Sequence, residues 1–338
     1  MVIIQDGSAM NFSAIDEKEK KSEKNLRPKN FNNFIGQELT KKNLAVILSA
    51  AKKRQESPPH LLFYGPPGLG KTTLAGIVAD ESGGNLKTTS GPAIEKAGDL
   101  AAILTNLKPG DVLFIDEIHR LRLPIEEILY SALEDFFLDL VVGKGPGAKS
   151  MRLKLPAFTL IGATTKFGLL SSPLRERFGA NFKIDFYSPE NLQMILKKNA
   201  ETLNIKIQKN AIEFLSKVSR GTPRVANRLL RRLRDFANFE NKTEISEKNC
   251  QEWLQKIGVD KIGLTNFDRE FLKIIVEKFS GGPVGLSTIA AAISEDKQTI
   301  EDIVEPFLLQ IGFLSRTPRG RMILPEALKY LQIASYNA

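Results

Sequence analysis

The 338-residue sequence predicts an α/β domain built on a parallel sheet, then a small helical domain, then a winged-helix domain. Three observations support this order. Short apolar runs alternate with helical patterns over residues 26–187, as expected for strands buried on both faces of a parallel sheet. Only helical patterns occur over 188–258, and three helices with a terminal β-hairpin, the order of a winged helix, occupy 259–338. Residues 1–25 are polar and lack a sustained period, which predicts a disordered tail.

The composition excludes several classes of protein. Apolar residues make up 42% and charged residues 26% of the chain, as in soluble globular proteins. No run approaches the roughly 18 apolar residues of a transmembrane helix, and the N-terminus lacks a signal-peptide pattern. A single cysteine, Cys250, and two histidines offer neither an internal disulfide nor a His/Cys metal site. We therefore expect a cytoplasmic protein without a membrane partner, and the formal net charge of +9 favours acidic partners such as nucleic acid.

The first chemical motif is GPPGLGKTT (65–73), which matches G-x-x-x-x-G-K-[ST] between a predicted strand and a predicted helix. Gly68 and Gly70 allow the backbone to turn its N–H groups toward a phosphate without Cβ clashes. Lys71 places an ammonium near the β- and γ-phosphates, and Thr72 supplies a hydroxyl for Mg²⁺. The motif and its context predict binding of ATP or GTP.

Two further strand ends carry polar side chains. DVLFIDEIHR (111–120) leads into Asp116, which can hold Mg²⁺ through water, and Glu117, which can polarise the attacking water. This pair favours hydrolysis over nucleotide binding alone. IGATTK (161–166) ends another apolar run with two threonines, whose hydroxyls could orient the water or contact the γ-phosphate. An ordinary strand rich in threonine is the alternative for this segment.

The segment SSPLRERFG (171–179) places Arg175 and Arg177 two residues apart. On a strand the two side chains would share a face, whereas on a helix they would diverge. Either a surface ion pair with Glu176 or Asp185, or an arginine finger that stabilises the transferred phosphoryl group, fits these residues. The residues alone leave both interpretations open.

A third arginine, Arg224, lies near the start of a predicted helix of the second domain, in GTPRVANRLLRRLRDFA (221–237). Thr222 suits the N-cap and Pro223 suits the first helical turn. Arg224 lies in that turn, where a cation is unfavourable, so an external anion is a plausible partner and a solvated arginine is the alternative. One apolar stripe follows at helical spacing: Val225, Leu229, Leu233 and Phe236.

The predicted hairpin FLSRTPRGRMIL (313–324) carries a local basic cluster formed by Arg316, Arg319 and Arg321. The other basic residues of this domain are matched by Asp and Glu. In a winged helix this hairpin is the wing, which lies along the DNA backbone, and guanidinium groups contact phosphates as forks. The cluster therefore predicts contacts with DNA phosphates and no reading of bases.

The motifs GPPGLGKT, DEIHR, GATT, SPLRERFG and GTPR, in this order and spacing, resemble those of the AAA+ ATPases. Within them the chain is similar to the RuvB family, the bacterial motors of Holliday junction branch migration, over about residues 26–335. The most specific segments are LRPKNFNNFIGQ (26–37), GTPRVANRLLRRLRDFA (221–237), GGPVGLSTIAAAI (281–293) and DIVEPFLLQIGFLSRTPRGRM (302–322).

The resemblance implies ATP and Mg²⁺ as ligands and assigns residues by position. The adenine side is implied to involve Leu26, Arg27, Phe34 and Ile35, and the phosphate loop Gly68, Gly70, Lys71, Thr72 and Thr73. Mg²⁺ is implied to be held by Thr72 and Asp116. The implied catalytic residues are Lys71, Asp116, Glu117, Thr165 (with Thr164 as the alternative), Arg224, and Arg177 acting on the neighbouring subunit. Residues implied to lie near the nucleotide are Glu134, Asp135, Phe136 and Tyr187.

The resemblance also implies partners and a cellular role. It implies a homohexameric ring that acts on four-way Holliday junctions in recombination, DNA repair and the SOS response, together with RuvA and, where present, the resolvase RuvC. It supports Arg316 and Arg321 as DNA contacts, whereas Arg319 is inferred from the residues alone. The 140–158 segment resembles a hairpin that docks onto RuvA, and a surface hairpin without a partner is the alternative. The apolar side chains expected to dock are Val141, Val142, Met151, Leu153 and Leu155.

Two other functions stay open at this point. A clamp-loader-like switch ATPase, which loads a protein ring onto DNA, shares the motifs but should lack the winged-helix domain. A winged-helix transcription regulator with an ATPase module would need base-reading donors in its recognition helix. The corresponding segment, QTIEDIVEPFLLQIG (298–312), carries acidic residues instead.

Overall fold

A computed structural model of the chain describes residues 26–142 and 149–331, so the predicted 1–25 tail lies outside the described residues. Strands and helices alternate in the first part of the chain. Its elements are α1 (Glu38–Arg54), β1 (Leu61–Tyr64), α2 (Lys71–Ser82), β2 (Leu86–Ser90), α3 (Ala97–Thr105), β3 (Val112–Asp116), α4 (Leu123–Glu134), β4 (Phe137–Val142), β5 (Lys149–Lys154), β6 (Thr159–Thr164), α5 (Ser172–Glu176) and β7 (Ala180–Lys183).

Five of these strands form one parallel sheet in the order β2-β3-β6-β1-β7. The three strands predicted from apolar runs are its central strands, and the α/β prediction is confirmed. The sequence analysis missed both edge strands, β2 and β7, because LKTTS and ANFK have exposed polar positions and resemble loops. Since parallel strands end at one edge, the three predicted motifs that follow β1, β3 and β6 lie side by side.

Apolar side chains cover both faces of this sheet. On β1, Leu61 and Phe63 enter one buried cluster and Leu62 enters the other, as the twofold alternation of a strand requires. The first cluster continues through Leu196 to Trp253 in the helices that follow the sheet. The second domain therefore shares an apolar core with the first.

The second domain contains only helices in its named elements: α6 (Pro189–Thr202), α7 (Lys209–Val218), α8 (Pro223–Phe239) and α9 (Glu247–Lys256). Helix α8 begins at Pro223, as predicted. Thr222 occupies its N-cap with extended dihedrals, but its side chain makes no capping hydrogen bond and donates to the carbonyl of Ser219 instead. The predicted stripe faces the core, with Leu229 and Leu233 buried and Val225 and Phe236 packed beside them.

The third domain has its own apolar core and the winged-helix order, which confirms the prediction. The third predicted helix is interrupted by a π-helical stretch just before Pro306. Pro306 has no backbone N–H and so cannot donate a hydrogen bond to the preceding helical turn. In the described residues, no helix is long and apolar enough to cross a membrane. The elements of this domain are α10 (Asn266–Phe279), α11 (Leu286–Ile293), α12 (Lys297–Thr299), the π-helical stretch Ile300–Val304, α13 (Glu305–Gln310), β8 (Leu314–Thr317), β9 (Gly320–Ile323) and α14 (Pro325–Tyr330).

Strands β4 and β5 pair antiparallel as a hairpin beside the main sheet, and its turn lies outside the described residues. Of the apolar side chains expected to dock there, Met151 is 44% exposed. Leu153 packs partly against the core, and Leu155 is buried in it, so the expectation that Leu155 is presented to a partner is wrong. Leu155 lies past the end of β5, where the chain has already returned to the domain. The side chains of Val141 and Val142 lie outside the described ones.

Candidate nucleotide site and wing

A cleft of about 520 Å³ lies at the carboxyl ends of β1 and β3 and extends to helices α6 and α8 of the second domain. It brings together most of the predicted nucleotide residues, although they are spread along much of the sequence. Those lining it are Leu26, Arg27, Phe34, Ile35, Gly68, Gly70, Lys71, Thr72, Thr73, Asp116, Glu117, Thr165, Tyr187 and Arg224. Glu134, Asp135, Phe136 and Arg177 do not line it.

The phosphate loop uses its glycines as the motif predicts. Gly68 and Gly70 have φ values of +80° and +98°, which L side chains rarely adopt, and α2 begins at the next residue, Lys71. A Cβ on Gly68 would also lie 2.8 Å from the Cβ of Arg224. The backbone N–H of Arg224 donates to the carbonyl of Gly68 at 3.4 Å, so the start of α8 contacts the loop directly.

Lys71 is almost completely buried in the loop. Its Nζ donates to the carbonyls of Gly65 and Pro66 at 2.7 and 2.8 Å. Burial lowers the pKa of Lys71 to about 8, although the nearby carboxylate of Asp116 opposes this shift. A phosphate in the cleft would favour the ammonium form and could replace the two carbonyls as its partners.

Asp116 and Glu117 lie side by side at the end of β3. The backbone N–H of Glu117, which has a left-handed φ of 49°, donates to Oδ1 of Asp116 at 3.0 Å. The Glu117 carboxylate forms an ion pair with Arg120 at 3.1 Å, and both side chains are more than 40% exposed. This exposed pair is weak enough to open when a ligand enters.

The donor set fits Mg²⁺ as phosphoryl-transfer enzymes bind it. In residues 26–142 and 149–331 no cluster of three or more His, Cys, Asp or Glu side chains could hold a metal alone. Mg²⁺ usually takes one or two protein ligands and completes its shell with phosphate oxygens and water. The Thr72 hydroxyl and the Asp116 carboxylate line the cleft and match that requirement.

The two threonines at the end of β6 have different environments. Thr165 lines the cleft, whereas Thr164 is buried. The Thr164 hydroxyl lies 2.9 Å from Nδ1 of His119 and accepts from the backbone N–H of Lys166 at 2.9 Å. Burial lowers the pKa of His119. Thr165 is therefore the residue of the pair that a nucleotide can reach.

Arg175 and Arg177 diverge, because α5 is helical. The Arg175 guanidinium lies 5.5 Å from the ring centroid of Phe167. Arg177 forms an ion pair with Glu134 at 2.6 Å, not with Glu176 or Asp185. Its Nε is buried without a hydrogen-bond partner among the described residues. Arg177 and Glu134 therefore meet outside the cleft.

The part of the cleft that the resemblance assigns to adenine includes buried apolar side chains. Phe34 is buried, and its ring lies close enough to Gly70 that a Cβ there would be 3.3 Å away. The Tyr187 hydroxyl donates to the carbonyl of Leu69 at 3.2 Å, and burial raises the pKa of Tyr187. Sequence analysis missed several lining residues, including Lys198, Asn199 and Asn227. Asn227 lies one helical turn after Arg224, which is the only signal that could have found it.

The wing arginines are less free than the sequence suggests. Glu305, which is fully buried, accepts from Arg316 at 2.5 Å and from Arg321 at 2.6 Å. Arg321 is only 17% exposed, whereas Arg316 is 51% exposed. The interpretation of an unmatched cluster is therefore wrong for these two residues, since an acid from α13 lies beneath them. Arg319 is exposed at the turn and has no ion pair within the described part of the chain.

Comparisons with known proteins agree with this architecture. Three family profiles match consecutive segments: the Holliday junction DNA helicase RuvB P-loop domain over residues 26–184, the RuvB AAA lid domain over 187–260 and the RuvB C-terminal winged helix domain over 261–332. A curated protein of Dehalococcoides mccartyi, the Holliday junction branch migration complex subunit RuvB, is 56% identical over 94% of this chain and 91% of its own length.

Solved structures give the same result. The Thermotoga maritima RuvB Holliday junction branch migration motor has a TM-score of 0.84 and 48% identity, with 91% of this chain and 99% of that chain covered. A mutant of that protein has a TM-score of 0.85 at 48% identity, with 91% and 98% covered. The chain therefore belongs to the RuvB family of AAA+ Holliday junction branch migration ATPases.

Proposed function

We propose that this chain hydrolyses ATP with Mg²⁺ to drive branch migration of Holliday junctions, as a homohexameric ring that works with RuvA in the bacterial cytoplasm. RuvC would act on the same junction where the organism has it. The observation that carries the proposal is the cleft, because it gathers the phosphate loop, the Asp116–Glu117 pair, Thr165 and Arg224 around one volume next to a winged-helix domain.

The cleft residues divide the chemistry between them. Bound Mg²⁺ would neutralise charge that develops on the phosphate oxygens. Lys71 exchanges its two carbonyl partners for phosphate oxygens, and Thr72 and Asp116 hold the cation. Glu117 leaves Arg120 and accepts a proton from the attacking water, which Thr165 helps to orient. Arg224 reports the nucleotide to the second domain, because its backbone contacts the phosphate loop.

Arg177 completes the site of a neighbouring subunit in this proposal. Its ion pair with Glu134 lies outside the cleft of its own chain. A mixture of Arg177→Ala and Lys71→Ala should regain part of the ATPase activity, because some interfaces pair an intact phosphate loop with an intact arginine. Arg175→Ala, two residues earlier in the chain, is the matched control and should stay active alone. Freely exchanging subunits that regain nothing would contradict a shared site.

The wing supplies the grip on DNA phosphates. Arg319 is the exposed guanidinium at the turn, and Arg316 is half-exposed beside it. Arg319→Ala or Arg316→Ala should weaken binding equally across sequences and reduce the log-log salt slope by about one unit for each phosphate that the variant no longer binds. Fluorescence anisotropy of duplex DNA over a salt series measures this. Arg175→Ala should leave the slope unchanged, and an unchanged slope in both wing variants would reject the wing as a DNA-binding element.

The hairpin of β4 and β5 is the proposed RuvA contact. Met151 is an exposed apolar side chain on it. Met151→Asp should abolish co-elution with RuvA and leave DNA-independent ATPase activity intact, because the residue lies outside the cleft. Retained co-elution would move the RuvA contact elsewhere.

The clamp-loader alternative loses its support in the third domain, which is a winged helix instead of a collar. A four-way-junction assay with RuvA separates the two functions. Branch migration that requires ATP supports the motor, whereas ATPase activity without junction movement favours the switch.

A further inference from the structure

Lys166 connects the nucleotide site to the winged-helix domain. It directly follows Thr165, which lines the cleft, and its Nζ lies 3.2 Å from Oε2 of Glu301 and 3.9 Å from Oδ1 of Asp302. Both acids belong to the π-helical stretch of the third domain. The backbone N–H of Lys166 also donates to the buried Thr164 hydroxyl at 2.9 Å. The strand end and Lys166 therefore form one fixed unit.

Glu301 contacts a second cation with its other oxygen. Oε1 of Glu301 lies 3.5 Å from Arg321, while Arg321 donates through Nε to Oε1 of Glu305 at 2.6 Å. Oε2 of Glu305 accepts from Arg316 at 2.5 Å. A continuous series of ion pairs therefore runs from Lys166 at the edge of the cleft, through Glu301, Arg321 and Glu305, to Arg316 in the wing.

We propose that Lys166, Glu301 and Glu305 are positioning residues, which couple the nucleotide state sensed at Thr165 to the orientation of the wing arginines on DNA. This inference rests on the proposed function, because it needs a wing that contacts phosphates. Its chemical basis is competition: Arg316 and Arg321 divide their donors between Glu305 and a DNA phosphate, and the position of Glu301 changes how strongly Arg321 is held.

The ion pairs between Lys166 and the wing are partly or fully buried. Lys166, Glu301 and Asp302 are 28%, 34% and 32% exposed, and Glu305 is fully buried, so salt screens these pairs less than surface pairs. Glu301 and Glu305 both contact Arg321, so they lie on the same side of this stretch. The π-helical winding between them is a feature found often at functional positions. A shift of Lys166 therefore acts directly on the segment that holds both wing arginines.

The test uses the full-length chain and compares DNA affinity in two nucleotide states. Duplex DNA is titrated by anisotropy with Mg²⁺ and either a slowly hydrolysed ATP analogue or ADP, and the ratio of the two dissociation constants is the readout. Absolute affinity is not used, because removing any acid near DNA strengthens binding. Glu301→Gln should shrink the wild-type ratio by about 2- to 5-fold, the size of a partly exposed ion pair.

Matched variants separate coupling from general charge effects. Glu295→Gln makes the same charge change in the same domain, on an acid with no ion pair among the described residues, and should leave the ratio unchanged. Lys166→Met should reduce the ratio as Glu301→Gln does. The effect of the double variant should be smaller than the sum of the two single effects, because both single variants remove the Lys166–Glu301 pair. Lys166→Arg keeps the charge and should keep the ratio.

Several outcomes overturn the inference. They are an equal DNA affinity of the wild-type chain in both nucleotide states, an unchanged ratio in Glu301→Gln, or additive effects in the double variant. Failure of the proposed function gives a different result, since Arg316→Ala and Arg319→Ala would then leave DNA affinity unchanged in both nucleotide states.

Discussion

Nucleotide affinity should fall as pH rises through the pKa of Lys71. That pKa is lowered to about 8 because burial disfavours the ammonium form. Phosphate oxygens beside Nζ raise it again. Below the folded-state value the ammonium is already charged, so affinity should be constant there. Above it, binding must first protonate the amine, so affinity should decrease with each further unit of pH.

The magnitude follows from the size of the shift. At about pH 9, one unit above this pKa, roughly one amine in ten is charged before binding. Binding should then take up nearly one proton, and affinity should be about tenfold lower than at about pH 7, which is about 1.4 kcal/mol. Isothermal titration calorimetry with an ATP analogue, in buffers of different ionisation enthalpy, measures both the affinity and the proton uptake.

The matched control is Lys71→Arg, because a guanidinium stays charged throughout this range and takes up no proton on binding. The terminal phosphate, whose last pKa is about 6, is fully ionised at about pH 9 and takes up no proton there. Wild-type binding at about pH 9 without proton uptake would refute the reasoning, and so would equal uptake in the arginine variant. Either result would mean that Lys71 is already fully charged in the empty cleft.

Three further predictions test separate parts of the molecule. Gly68→Ala should reduce nucleotide affinity at least tenfold, because its Cβ would lie 2.8 Å from Arg224 at a φ of +80°; Gly76→Ala, whose Cβ meets nothing within 4 Å, is the control. Glu305→Ala should destabilise the winged-helix domain by about 3 kcal/mol in calorimetry, since it removes a buried partner of two arginines, whereas Glu295→Ala should not. Trp253→Phe should cost at least about 1 kcal/mol in urea unfolding, because it removes the 2.9 Å hydrogen bond to Glu240 and leaves a cavity at a fully buried position; an unchanged midpoint would contradict this prediction.

The sequence predicted the features that local pattern determines. The central strands are uninterrupted apolar runs, and the phosphate loop needs glycines at fixed positions. Both features depend on residues that are close together in the sequence, so the sequence alone predicts them. The edge strands β2 and β7 were missed because half of their surface meets solvent and their composition matches that of loops. Leu155 was misassigned because the sequence does not show where β5 ends. An apolar residue at the buried base of a hairpin therefore cannot be distinguished from one at its exposed tip.

The remaining misses depend on contacts distant in sequence. Glu305 precedes Arg321 by 16 residues and belongs to another element, so no local pattern reveals that it holds the wing. Asn199 and Asn227 meet through a 2.7 Å hydrogen bond between α6 and α8, and neither has a motif around it. The ion-pair partner of Arg177 is also distant in sequence. The sequence suggested Glu176 or Asp185, whereas the structure pairs Arg177 with Glu134.

The edge of the sheet that carries the cleft contacts two other domains. The helical domain meets it at the phosphate loop, and the winged-helix domain meets it at Lys166. On one side the Gly68 carbonyl accepts from Arg224, so a nucleotide that moves the loop also moves the start of α8. On the other side Lys166 extends from the end of β6 to Glu301 of the winged-helix domain. Hydrolysis changes charge between these two contacts. We therefore propose that the helical domain and the winged-helix domain respond to hydrolysis through different atoms. A variant that breaks one contact should leave the other intact.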